Sequence, residues 1–134
     1  MYVVLSPFTW RASAFTVTVP RGFMTDGASI PDMLQGIFNP LGKYGQAAVL
    51  HDFLCEYLVV NVSNSLVDIG RRQADTIFCD AMRFLKVDAI TRELMHEAVE
   101  TYTTFLAPGT PSTYRAKRDA ESHWSQENPL VLHT

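Results

Sequence analysis

A chain of 134 residues, 47% hydrophobic and 19% charged, can bury the core of one domain but is too short for a large barrel enzyme or a two-domain dehydrogenase. Its net charge of −3 argues against a protein whose main task is coating nucleic acid, so no direct nucleic-acid binding is expected. No apolar run reaches the roughly 18 residues that span a bilayer, and Met1 to Trp10 lacks the basic start and apolar middle of a signal peptide.

Tyr2 to Leu5 favour β structure, and Pro7 interrupts them. Phe15, Val17 and Val19 alternate with Thr16 and Thr18, the period of a half-buried strand. Pro20 ends that strand and Arg21-Gly22 turns the chain. Residues 22–44 are rich in glycine and proline yet carry Phe23, Ile30, Met33 and Leu34, which predicts an ordered loop draped over the core. Three helices follow, over about 44–60, 70–86 and 88–106, each with apolar residues at spacings of three and four. Asp88 is placed to cap the third, whose predicted apolar face is Ile90, Leu94, Ala98, Tyr102 and Phe105. The Asn- and Ser-rich stretch 61–68 is expected to be a surface loop. The predicted fold is therefore α+β: a small N-terminal antiparallel β-sheet or hairpin and an ordered loop packed on a three-helix bundle.

After Leu106 the composition changes. Residues 1–106 hold all eight phenylalanines, all five methionines and both cysteines. The remaining 28 begin with a breaker-rich linker, Ala107 to Thr113, and contain few large apolar groups. The expectation is a self-sufficient domain over 1–106 and an extended C-terminal tail over 107–134. Trp124 in that polar tail has the character of a partner anchor.

Two segments carry candidate chemistry. In the first, Thr25, Asp26 and Ser29 offer three oxygen-bearing side chains around the turn-forming Asp26-Gly27 pair. They suit either a binding loop or a turn that ties sheet to helices. The second is His51-Asp52, set in apolar flanks on the first helix. Neighbours on a helix diverge by about 100°, so these two cannot form a bonded catalytic pair with each other. Titratable groups in apolar surroundings nevertheless carry perturbed pKa values, a pattern found at active sites. Asp75, at the margin of the second helix's stripe, is placed to face Asp26 or His51, or to be a solvated border residue. Cys55 and Cys79 read as buried thiols, and without a CxxC or paired-histidine pattern no metal or cofactor is expected. HExxH, GxSxG, phosphate-loop and dinucleotide motifs are all absent.

Three stretches, Val19 to Pro31 (VPRGFMTDGASIP), Ala47 to Leu54 (AAVLHDFL) and Arg72 to Phe78 (RQADTIF), together resemble domain-of-unknown-function family 1353, met in tailed bacteriophages and prophages. The resemblance covers about residues 2–106. It singles out Thr25, Asp26, Ser29, His51, Asp52 and Asp75, the polar members of the three motifs. Cys55 and Glu56 depart from it, standing where an aromatic usually continues the His-Asp run. The His-Asp helix is also similar to that of secreted phospholipases of the A-two class, where the His activates water.

The resemblance implies a phage origin and a chain made in the host bacterial cytoplasm. The leading expectation is a virion accessory protein, in the tail or tail hub, present in multiple copies and docked on other phage virion proteins through its C-terminal tail. The second is a small hydrolase of the host envelope, acting on peptidoglycan or lipid. There His51 would be general base, Asp26 or Asp75 its catalytic partner, and Thr25, Ser29 and Asp52 binding residues. The third is an assembly chaperone absent from the finished particle.

Overall fold

The computed structural model describes residues 2–25, 45–105 and 111–130. It shows an α+β fold of antiparallel strands followed by helices. Strands β1 (Tyr2–Val3) and β4 (Met24–Thr25) pair as a short two-stranded sheet. Strands β2 (Phe8–Arg11), β3 (Thr16–Val19), β5 (Val59–Val62) and β6 (Ser65–Asp68) form a four-stranded sheet in the order β2-β3-β5-β6. The alternation in β3 works as its period dictates: Val17 and Val19 are buried and Thr18 is exposed. On the outer face the Thr18 hydroxyl meets that of its cross-strand neighbour Thr9 at 2.8 Å.

The β5–β6 hairpin occupies the stretch expected to be a surface loop. Its two-residue turn, Ser63-Asn64, has positive φ at both positions (50° and 66°), the twist that matches right-handed strands. The Asn64 N–H donates to Asn61 Oδ1 at 3.0 Å, which holds the turn. Its Asn and Ser residues thus serve a tight hairpin, and the apolar Val59, Val60, Leu66 and Val67 are strand residues. Helix α1 (Gly45–Tyr57) accordingly ends before Leu58, whose φ of 51° turns the chain into β5.

Helix α2 (Arg71–Phe84) lies between α1 and α3 (Ala89–Phe105). Its stripe is buried as its spacing requires: Ala74, Ile77, Phe78, Ala81 and Met82 join Val19, Phe23, Leu50 and Leu54 in the core. The Gln73 side chain accepts from the Gly70 N–H at 2.7 Å and caps its start. At its end the Val87 N–H reaches the Met82 carbonyl and the Lys86 N–H reaches that of Arg83, a Schellman closure. Lys86 sits there at φ 61°, where a Cβ is strained. Lys86→Gly is expected to raise stability in urea unfolding by up to about 1 kcal/mol; an unchanged or lower midpoint would contradict that strain.

Asp88 caps α3 as its sequence suggests, accepting from the Thr91 N–H at 3.0 Å. That bond holds its carboxyl below the usual range. Over its described side chains the buried face of α3 is rotated from the predicted one, of which Ala98, Tyr102 and Phe105 lie outside the described side chains. Met95 and Val99 are buried, while Ile90 is 74% exposed and Leu94 is also exposed. Helical spacing fits both sets of residues, and packing against α2 selects the second.

A fourth helix, α4 (Pro111–Glu127), forms within the segment expected to be an extended tail. It is polar along its length and lies against the β4 and α1 end of the domain. Glu121 Oε2 accepts from the Met24 N–H at 2.7 Å, and Arg21 donates to the Asn128 carbonyl at 2.8 Å. Gly22, at φ 89°, suits this turn because a Cβ there would be strained, and a Cβ would also oblige the Ser125 hydroxyl, 2.8 Å away, to rotate.

Candidate functional site

Two of the motif residues, His51 and Asp75, meet between α1 and α2 with Cys55 beside them. His51 Nε2 lies 2.7 Å from Asp75 Oδ1, with side chains only 2% and 1% exposed. The imidazole stacks on Phe78 of α2 at 4.7 Å, which fixes its plane. Cys55, one turn after His51 on the same helix face, brings its Sγ to 3.4 Å from Nε2 and 4.0 Å from Nδ1. Of the two alternatives for Asp75, the structure takes the bonded one: its carboxylate is buried and faces His51.

The other candidates sit apart from this cluster. Asp52 diverges from His51, as helical geometry requires, and its Oδ2 lies 4.0 Å from Lys117 Nζ of α4. Thr25 is buried at the end of β4. Asp26 and Ser29 lie outside the described residues. Trp124 is half-buried on α4, with the Arg21 guanidinium over its ring at 4.8 Å.

Sequence reasoning missed two participants. Cys55 reads in the sequence as a buried thiol, although its i,i+4 spacing from His51 puts both on one face. Glu56 was visible only as a departure from the family pattern. Its carboxylate is 2% exposed and is held by Lys117 Nζ at 2.9 Å, with Arg118 Nε at 3.9 Å. Lys117 also lies 4.1 Å from the Phe23 ring centroid, and Arg118 4.9 Å from that of Tyr57. The basic residues of α4 thus neutralise a carboxylate buried in α1 and cover the aromatic rings beside it.

Chemically, the cluster does not form a cysteine nucleophile relay. Such a relay needs thiol and carboxylate on opposite ring nitrogens, so that a proton passes through the imidazole. Here both Sγ and Oδ1 lie nearest the same nitrogen, Nε2. Burial alone would lower the His51 pKa, but the hydrogen bonds to Asp75 and Cys55, with the attraction of both groups, outweigh it and raise it to about 9. The favoured state is a buried imidazolium–carboxylate pair.

A folded pKa above the ordinary histidine value of 6.5 means that folding favours the protonated ring. The pair's contribution is therefore complete below about pH 6.5 and is lost as pH rises through about 9. Chemical denaturation of the metal-free chain between pH 6 and 10 is expected to show stability falling over that window. A flat profile, or one rising with pH, would contradict the charged pair.

The model of the family described as "Protein of unknown function (DUF1353)" matches residues 2–99, which include β1 to β6, α1, α2 and α3 as far as Val99. No curated protein and no solved structure matches the chain. The match takes in His51, Cys55, Glu56 and Asp75 and stops before α4. With nearly three quarters of its length matched, the chain belongs to the DUF1353 family.

Proposed function

We propose that the chain is an accessory protein of a bacteriophage particle, in the tail or tail hub, that works by docking rather than catalysis. The observation that carries this reading is the use of the motif's polar residues. His51 and Asp75 satisfy each other inside the α1–α2 interface, where a substrate does not reach them. The surface offers a different feature. All four residues of β6, an edge strand among the described residues, are exposed, with Leu66 72% and Val67 43% accessible, and β6 itself contains no lysine or proline. That edge suits a strand of a neighbouring virion protein added by main-chain pairing. Trp124, packed against Arg21, is less available as an anchor than its sequence setting suggested.

The test is a census of purified particles by mass spectrometry. The chain is expected at fixed copy number, and Leu66→Lys is expected to abolish incorporation while leaving thermal stability unchanged. Absence from finished particles would overturn this reading in favour of an assembly chaperone.

One observation favours the hydrolase reading as a second choice. With Nε2 held by Asp75, the only polar neighbour of Nδ1 among the described residues is the Cys55 sulfur at 4.0 Å. A base at Nδ1 oriented by Asp75 would require that nitrogen to reach a water. Turnover of phospholipid vesicles or peptidoglycan sacculi by the purified chain, lost in His51→Gln, would establish it.

A further inference from the structure

We propose that His51, Cys55 and Asp75 bind one divalent transition-metal ion of the zinc class between α1 and α2. Three unlike donors, an imidazole nitrogen, a thiol sulfur and a carboxylate oxygen, lie within 4.8 Å of one another, and all three residues are buried. Donors at 2.0–2.3 Å from a tetrahedral ion are separated by about 3.4 Å. Nε2 and Sγ already stand at 3.4 Å. Nε2 and Oδ1, at 2.7 Å, need to open by about 0.7 Å to reach the same separation, within reach of a carboxylate torsion.

The hydrogen-bond arithmetic points the same way. Nε2 carries at most one hydrogen, yet two groups able to accept it, Oδ1 and Sγ, converge on it. A hydrogen aimed at the carboxylate leaves the thiol poorly served. A cation in that position satisfies all three donors at once. The charges also balance, because thiolate and carboxylate together neutralise a divalent ion beside a neutral imidazole, the favourable state for a buried group. Binding displaces the thiol proton and the Nε2 proton, both released to solvent.

The donor set selects the ion. One oxygen among three ligands is a poor site for calcium or magnesium, whereas nitrogen with thiolate suits zinc or cobalt. Phe78 stacked on the ring fixes the imidazole plane, and the i,i+4 spacing aims Cys55 at the same point. The inference is independent of the docking reading, since a structural ion is compatible with either function.

The test uses the full chain, stripped with a chelator and titrated with cobalt(II) as the spectroscopic probe. A thiolate-to-cobalt charge-transfer band is expected to saturate at one ion per chain, disappear on addition of zinc, and accompany a rise in melting temperature. Cys79→Ser leaves Cys55 as the only cysteine, so the band in that variant assigns the ligand without disturbing the cluster. Cys55→Ser is expected to lose the band, and Asp75→Asn to weaken zinc binding roughly tenfold or more. A titration without a band, a band that persists in Cys55→Ser, or a band lost from folded Cys79→Ser would overturn the proposal.

Discussion

A chain truncated after Leu106 is expected to be less stable than the full chain by about 3 kcal/mol or more, read from urea unfolding midpoints. Without α4, Glu56, whose carboxylate is 2% exposed in the full chain, loses Lys117, its partner at 2.9 Å. Breaking a buried pair from one side costs about 3–5 kcal/mol, because the remaining charge stays desolvated. Solvent entering where α4 lay relieves part of that cost. The same cut removes Glu121 from the Met24 N–H and the cations from the faces of Phe23 and Tyr57. Two controls isolate the charge. Lys117→Ala in the full chain is expected to reproduce much of the loss, and Glu56→Gln in the truncated chain to recover part of it. Equal stability of the long and short chains would show that residues 1–106 are self-sufficient.

His51→Ala is expected to cost about 3–5 kcal/mol, since it removes the imidazole bonded to the buried Asp75 carboxylate and opens a cavity against Phe78. Small domains have roughly 5–15 kcal/mol in total, so this variant stands near the threshold of folding. Asp75→Asn is the milder probe, because the amide keeps an oxygen near Nε2 without a charge. Asp52→Asn, one residue from His51 but turned toward Lys117, is expected to change stability far less. The contrast separates the two members of the His-Asp motif by role. Melting temperatures of the three variants, each checked for native circular dichroism, measure it.

Much of this architecture is legible in the residues. The alternation Val17, Thr18, Val19 fixes the inward face of β3, the stripe Ala74 to Met82 fixes that of α2, and Asp88 marks where α3 begins. Local chemistry decides these features, so local patterns reveal them. The β5–β6 hairpin was hidden because Ser63-Asn64 is a less conspicuous turn than Asn-Gly, and its Asn and Ser residues resemble loop composition. The rotation of α3 was hidden because Ile90 and Leu94 satisfy helical spacing as well as Met95 and Val99 do. Only packing against α2 distinguishes the two faces.

In the site, the pairing of His51 with Asp75 joins residues 24 positions apart, a distance that no single-helix pattern encodes. The spacing does place Cys55 beside His51, but nothing local shows that Asp75 completes the group. The docking of α4 is less legible still. It depends on the complementarity of Glu56 with Lys117, two charged residues 61 positions apart in segments of different composition.

The central claim is that the His51–Asp75 pair clamps α1 to α2 from inside the core. A double-mutant cycle on unfolding free energies, combining His51→Gln and Asp75→Asn, tests it most directly. The pair as described gives a coupling of about 2 kcal/mol or more, because either single change leaves its partner buried and poorly matched. Two losses that simply add, within about 0.5 kcal/mol, would show that the groups act independently and would contradict the clamp.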